Sequence, residues 1–155
     1  MNSSLQLNLF WQGFLAAHPQ VGQLPRPPHF YFCDNAKDAN LCADLVVQGV
    51  KQATAASLWW YTTNNEALPK VGNHYIIINW SGVPKAVIQT AAVSVMTFGT
   101  VDSDFAYAEG EGDRSLAFWQ DVHRSYYARE LGCDENDIAD DFEIVCHRFK
   151  TVYRG

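Results

Sequence analysis

A lysine and a threonine stand three residues apart in Gly49-Val-Lys51-Gln-Ala-Thr54, just past a glycine that should end a helix. An ammonium group and a hydroxyl in one short turn can recognise a planar ligand. With a third group they can do chemistry. Trp59, Trp60 and Tyr61 follow within a few residues. They form a flat apolar wall that can stack on a base, as aromatics do in nucleobase sites. Ser57 and Tyr75 can orient a ligand. A threonine hydroxyl is a poor nucleophile until something takes its proton. Lys51 can do so only when neutral, which requires a depressed pKa, and burial beside the aromatics pushes it that way. Residues i and i+3 of an extended strand point to opposite faces. Lys51 and Thr54 therefore converge only if the chain bends after Gly49.

Other chemistry-bearing residues carry weaker signals. Glu109-Gly-Glu111-Gly-Asp113 is an acidic glycine loop. It would repel a phosphate, and its three acids read as facing water rather than holding magnesium. His123 lies on the apolar face of its helix and reads as a hydrogen-bonded core histidine. His29, His74 and His147 show neither H-x-x-x-H nor H-E-x-x-H spacing, so no metal site is expected. There is no Gly-x-Ser-x-Gly elbow and no P-loop, and no cofactor is implied. The four cysteines, Cys33, Cys42, Cys133 and Cys146, form no C-x-x-C pair and read as buried free thiols.

Ser3 or Ser4 caps a first helix whose apolar face runs through Leu5, Leu9, Phe10, Trp11, Phe14 and Leu15. Gly22 to Pro28 is a proline-rich connection. His29 to Cys33 reads as a short aromatic strand, and Ala36 to Gln48 as an amphipathic helix stopped by Gly49. After a polar loop from Asn64 to Gly72, His74 to Trp80 reads as a buried strand. It is joined by a Ser81-Gly82 turn to a long β-branched strand, Pro84 to about Met96. A short helix from Ser103 to Ala108, a clear helix from Ser115 to Leu131 and a closing strand from Asp141 to Tyr153 complete the order. Strands without regular helix alternation indicate an antiparallel or mixed sheet with helices at its side, an α+β fold. A small, partly closed β-barrel satisfies the order and hides sheet edges.

The totals set limits. With 155 residues, 48% hydrophobic and 14% aromatic, the chain supports one folded domain, residues 1–155, with 1–28 as an N-terminal helical extension. A formal net charge of −6 argues against a grip on a long phosphate backbone, though a local basic groove would still permit RNA as a partner. No basic leader precedes a long apolar run, and no apolar stretch approaches the roughly 20 residues of a spanning helix. A soluble, cytoplasmic protein without membrane contact is expected, as a monomer or dimer.

Several separated pieces then coincide. They are Gly49-x-Lys51-x-x-Thr54; Leu68-Pro-Lys-Val-Gly72 before a strand; Thr90 and the strand into Phe98; Phe105-Ala106 with Glu109-Gly-Glu111-Gly-Asp113; Trp119-x-x-x-His123; and Val145-Cys-His-Arg-Phe149. In this order the set resembles the ASCH domain family, relatives of the PUA-like fold, over roughly residues 30–152. The resemblance implies a small mixed or antiparallel β-barrel flanked by helices, with the Gly-x-Lys motif lining a cleft. It also implies an association with RNA binding and RNA metabolism. Some small bacterial members are amidohydrolases that deacylate N4-acylated cytidine with a Lys, a Thr and a Glu. On this chain those residues map to Lys51, Thr54 and Glu111. Glu109, two residues before Glu111, is the rival carboxylate and a candidate substrate contact. The arginine often found two positions after the threonine is Ala56 here, so any contact it makes is missing or supplied elsewhere.

Two divisions of labour fit amide hydrolysis. Lys51 is the base and Glu111 shuttles a proton, or Lys51 stays charged on the oxyanion while Glu111 activates Thr54 or a water. The first is slightly preferred on the sequence. The implied substrate is a small modified nucleoside, N4-acetylcytidine, held with the help of Ser57, Trp59, Trp60, Tyr61 and Glu109. The alternative is an RNA-binding domain or ribonuclease using the same cleft, for which Lys51, Lys70, Lys85, Arg148 and Lys150 would have to form a continuous basic groove.

Overall fold

The computed structural model of the chain describes residues 3–155. In chain order its elements are helix α1 (Ser3–Ala17), strand β1 (His29–Phe30), helix α2 (Ala36–Val47), strand β2 (Ala53–Ser57) and helix α3 (Leu58–Thr63). Strands β3 (His74–Ile78) and β4 (Pro84–Thr97), helices α4 (Ser103–Glu109) and α5 (Leu116–Leu131), and strand β5 (Glu143–Arg154) follow. Helix starts obey capping chemistry: Asn35, Ser57, Asp102 and Ser115 each accept a hydrogen bond from the backbone N–H three residues on. Gly49 follows α2 with a φ of 76°, a left-handed turn that a side chain would strain. The chain there leaves the helix and enters β2.

The sheet has five strands in the order β1-β3-β4-β5-β2. Only β1 and β3 run parallel; the other neighbours are antiparallel. The expected α+β class with flanking helices is what the chain forms, but the barrel is not closed, because β1 and β2 are the two ends of the order and do not pair. The aromatic strand predicted from His29 to Cys33 shrinks to His29–Phe30. Cys33 adopts a φ of 68°, which turns the chain away from the sheet and into α2.

Alternation sorts the two faces. One carries Ile77, Ile88 and Phe149, covered by Phe32, Cys42 and Val46 from the α2 side. The other carries Ala53, Ala55, Ile144 and Cys146 under Phe105, Trp119 and Tyr127 from α4 and α5. Helix α1 packs on the β3–β4 end through Leu7, Trp11, Phe14 and Leu15 against Ile76, Ile78 and Val87. Its Leu5 and Leu9, read from sequence as part of the apolar face, are 48% and 56% exposed; Leu7 joins Trp11, Phe14 and Leu15 in the buried stripe instead. Among the described residues no helix is long and apolar enough to cross a membrane. All four cysteines are free thiols; Cys42 and Cys146 are buried, while Cys33 and Cys133 are half-buried.

Candidate active site

Lys51 sits in a short wedge between two helix ends. Its backbone N–H donates to Leu45 O of α2 at 3.1 Å, and the next N–H, of Gln52, donates to Ala108 O of α4 at 2.7 Å. Its side chain is 1% exposed. Nζ donates to Glu109 Oε1 at 2.8 Å, to Glu111 Oε2 at 2.9 Å and to the Glu109 carbonyl at 3.3 Å. The Phe32 ring lies 5.0 Å away.

Gly110 makes this convergence possible. It closes α4 with a φ of 78°, and a Cβ there would lie 2.8 Å from Val50 O and 3.0 Å from Lys51 Cα. The backbone thus approaches Lys51 closely, and the carboxylates on either side of Gly110 both reach its ammonium. Glu109 points inward, 2% exposed; Glu111 keeps 17% exposure. The acidic loop read as facing water is therefore only partly so.

Glu109 is shared. Its Oε2 accepts from Trp119 Nε1 at 2.7 Å and pairs with His123 Nε2 at 3.0 Å, while His123 Nδ1 meets Trp119 O at 2.9 Å. His123 is a buried hydrogen-bonded histidine, as read from sequence, and also an ionic partner. Burial opposes its charge, yet Glu109 and Glu111 hold its pKa above the usual value. Burial likewise disfavours charge on Lys51, and the Glu109 and Glu111 carboxylates overturn that, raising its pKa. For Glu109, burial would raise the pKa; Lys51 and then His123 outweigh it, and the carboxyl stays ionised. Two expectations change accordingly. Lys51 is an ammonium and not the neutral base favoured on sequence grounds. Glu109 is committed to Lys51, Trp119 and His123, with both carboxylate oxygens taken.

Thr54 stands apart from this network. It lies in β2, half-buried, and directly opposite His147 of β5. The bend after Gly49 does not bring its hydroxyl into a hydrogen bond with Lys51 or Glu111, because regular strand geometry begins at Ala53 and turns Thr54 to the α2 face. Among the described residues that hydroxyl has no hydrogen-bond partner. The two groups of residues are linked by rings: Phe32, beside Lys51, stacks on Phe149 at 6.2 Å, and Phe149 lies 5.6 Å from His147. His147 is 3% exposed, and its Nε2 is 2.7 Å from Thr90 Oγ1. Burial lowers its pKa to about 4. In the sequence His147 stands out as part of Val145-Cys-His-Arg-Phe149 and lacks zinc-ligand spacing, with no role of its own. Its pairing with Thr54 depends on strand register, which no local motif reveals.

The aromatic wall resolves into a helix. Trp59 and Trp60 are exposed at the rim of α3. Tyr61 packs edge-on against Trp60 at 5.1 Å and is half-buried. Burial first, then Tyr75 and Glu66, push the Tyr61 phenol up to about 12. The Tyr75 ring of β3 lies 5.8 Å from His147, on the face that bears Thr54. Ser57 does not join this cleft. It is fully buried, caps α3 through Trp60 N and donates to Glu130 Oε1, so it is unavailable to a ligand.

Cys33, Cys42 and Glu111 place potential metal-ligand atoms within 4.8 Å of one another. Glu111 is already held by Lys51, whose positive charge opposes a cation there. A hydrogen bond to Cys33 and then burial raise the Cys42 pKa, which disfavours the thiolate a metal needs. A separate cavity of about 140 Å³, lined by Ser94, Asp102, Phe105, Cys146 and Arg148 among others, involves mainly the opposite face of the sheet.

The model of the ASCH domain matches residues 29–153. The chain belongs to the ASCH domain family. The crystal structure of an ASCH domain from Lactobacillus crispatus JV V101 is 36% identical, with a TM-score of 0.86 over 96% of this chain and 95% of that one. A protein from Enterococcus faecalis V583 is 32% identical, with a TM-score of 0.82 over 94% and 87% of the two chains. No curated protein matches. Both structural matches cover more of this chain than residues 29–153. As an ASCH domain, the chain has a PUA-like fold, associated with RNA binding or hydrolytic activity.

Proposed function

We propose that this ASCH domain is an amidohydrolase that converts N4-acetylcytidine, or a similarly N4-acylated cytosine nucleoside, to the free amine and a carboxylate. The observation that carries the reading is the Lys51–Glu111 pair, 2.9 Å apart, linked through Phe32 and Phe149 to the face that bears Thr54. Thr54 is the nucleophile, since the residue is half-buried and its hydroxyl has no hydrogen-bond partner among the described residues. Lys51 acts as a fixed positive charge that favours the developing oxyanion. Its longest bond, 3.3 Å to the Glu109 carbonyl, is the one a substrate oxygen can replace. Glu111, the more accessible carboxylate, activates the water that clears the acyl group. The exposed Trp59 and Trp60 and the half-buried Tyr61 supply stacking surface for the base.

A nucleoside is favoured over RNA by the distribution of charge. Lys51 is enclosed by carboxylates, and Arg148 and Lys150 alternate onto the sheet face opposite Thr54. Lys51, Arg148 and Lys150 therefore do not line one continuous basic groove. The test is incubation with N4-acetylcytidine and chromatographic detection of cytidine, alongside Lys51→Ala and Glu111→Gln. Cytidine release by the parent and its loss in both variants is expected. No release by the parent, together with salt-sensitive RNA binding, would replace this reading with RNA recognition.

A further inference from the structure

We propose that His147 is the base that takes the Thr54 proton, with its Nε2–H held by Thr90 and its Nδ1 lone pair open to the cleft. This inference rests on the amidohydrolase reading above. It answers a need that the geometry creates: Lys51 is held as an ammonium by two carboxylates, and Thr54 bonds to neither Lys51 nor Glu111.

Three observations converge on His147. Thr54 and His147 are direct cross-strand partners on one face of β2 and β5, a relation that sets Cβ atoms roughly 4.5–5.5 Å apart. Thr90 Oγ1 fixes one ring nitrogen at 2.7 Å. The other, Nδ1, has no hydrogen bond among the described residues, and no buried side-chain nitrogen there is left unsatisfied. Nδ1 is therefore not sealed in the core. The ring is flanked by Tyr75 from β3, Thr90 from β4 and Phe149 from β5. The titratable groups facing it are the Tyr75 phenol and, beyond that, the Tyr61 phenol of α3. Phe149 touches the His147 ring, and Phe32 touches both Phe149 and Lys51. Burial alone keeps the imidazole neutral, and so able to accept a proton at neutral pH.

The steps balance. The Thr54 O–H proton moves to His147 Nδ1 as Oγ bonds to the acyl carbon. The acyl C–N4 bond then breaks, and the imidazolium returns that proton to N4, releasing the cytosine amine. Water, deprotonated by Glu111, attacks the Thr54 ester. The ester C–O bond breaks, and Glu111 returns the proton to Thr54 Oγ, leaving the carboxylic acid to ionise in solvent.

The test combines kinetics of His147→Gln with nitrogen NMR of the parent. His147→Gln should lower kcat by at least about a hundredfold with a small change in KM, and should abolish the acid limb of the kcat/KM profile. The parent spectrum should show a neutral, Nε2-protonated His147 at pH 7. Unchanged kcat in His147→Gln with an active parent would overturn this assignment while leaving the amidohydrolase reading intact. An Nδ1-protonated or charged ring at pH 7 would overturn it whatever the variant's folding. A parent without any turnover would overturn both.

Discussion

Lys51 Nζ and Glu109 Oε1 lie 2.8 Å apart with both side chains almost wholly removed from solvent. Neither charge would tolerate that environment alone. A buried pair of this kind contributes little over an apolar pair, but removing one member leaves the other uncompensated. Lys51→Met should therefore cost about 3–5 kcal/mol in denaturant unfolding. The double variant Lys51→Met with Glu109→Leu should recover part of that loss. Strictly additive losses would show that the two residues are not energetically coupled.

The pH dependence of stability follows from the same network. Glu109 has a folded pKa below its unfolded value, so its contribution is present above the usual 4.5 and lost as pH falls below it. Lys51 has a raised pKa, so its contribution is present below the usual 10.5 and lost at higher pH. His147 is depressed from 6.5 to about 4, so stability declines as pH falls through that window. His123 is raised and acts in the opposite direction, losing its contribution as pH rises past its folded value. Thermal melts of the parent and His147→Gln should show a shallower loss between pH 6.5 and 4 in the variant. Identical slopes would contradict a buried neutral His147.

Thr90 should matter for both stability and chemistry. It is 2% exposed and is the only hydrogen-bonding partner of the His147 ring among the described residues. Thr90→Val leaves Nε2 unsatisfied and should cost about 1–3 kcal/mol. Thr90→Ser keeps the hydroxyl and should restore much of the activity. If valine and serine behave alike in turnover, the hydroxyl does not orient the ring.

Charge reversal separates nucleoside from RNA. Arg148→Glu with Lys150→Glu alters the sheet face opposite Thr54. Turnover of N4-acetylcytidine should remain within about twofold of the parent, since exposed charges on the far side act through screened solvent. A large loss of turnover would move the site to that face.

Much of the fold was legible because helix caps and alternation are local. Asn35, Asp102 and Ser115 cap where polar residues precede apolar periodicity, and β3, β4 and β5 fall within a few residues of their expected limits. The open sheet was not legible, because whether β1 and β2 meet depends on curvature that no segment encodes. The site divides in the same way. Lys51, Thr54 and the acidic loop stand out by residue type. That Glu109 turns inward and Glu111 stays accessible follows from the left-handed turn at Gly110 packed on Val50 and Lys51, a contact between segments some 60 residues apart. The charge on Lys51 follows from that contact. The role of His147 was not legible, because it depends on β2–β5 register and on Thr90 of the neighbouring strand β4.

The most direct measurement is steady-state turnover of N4-acetylcytidine by the parent, Thr54→Ala and Thr54→Ser. The account predicts cytidine and acetate from the parent, none above background from alanine, and reduced but measurable release from serine. Full activity in Thr54→Ala would contradict the central claim that this threonine carries the acyl group.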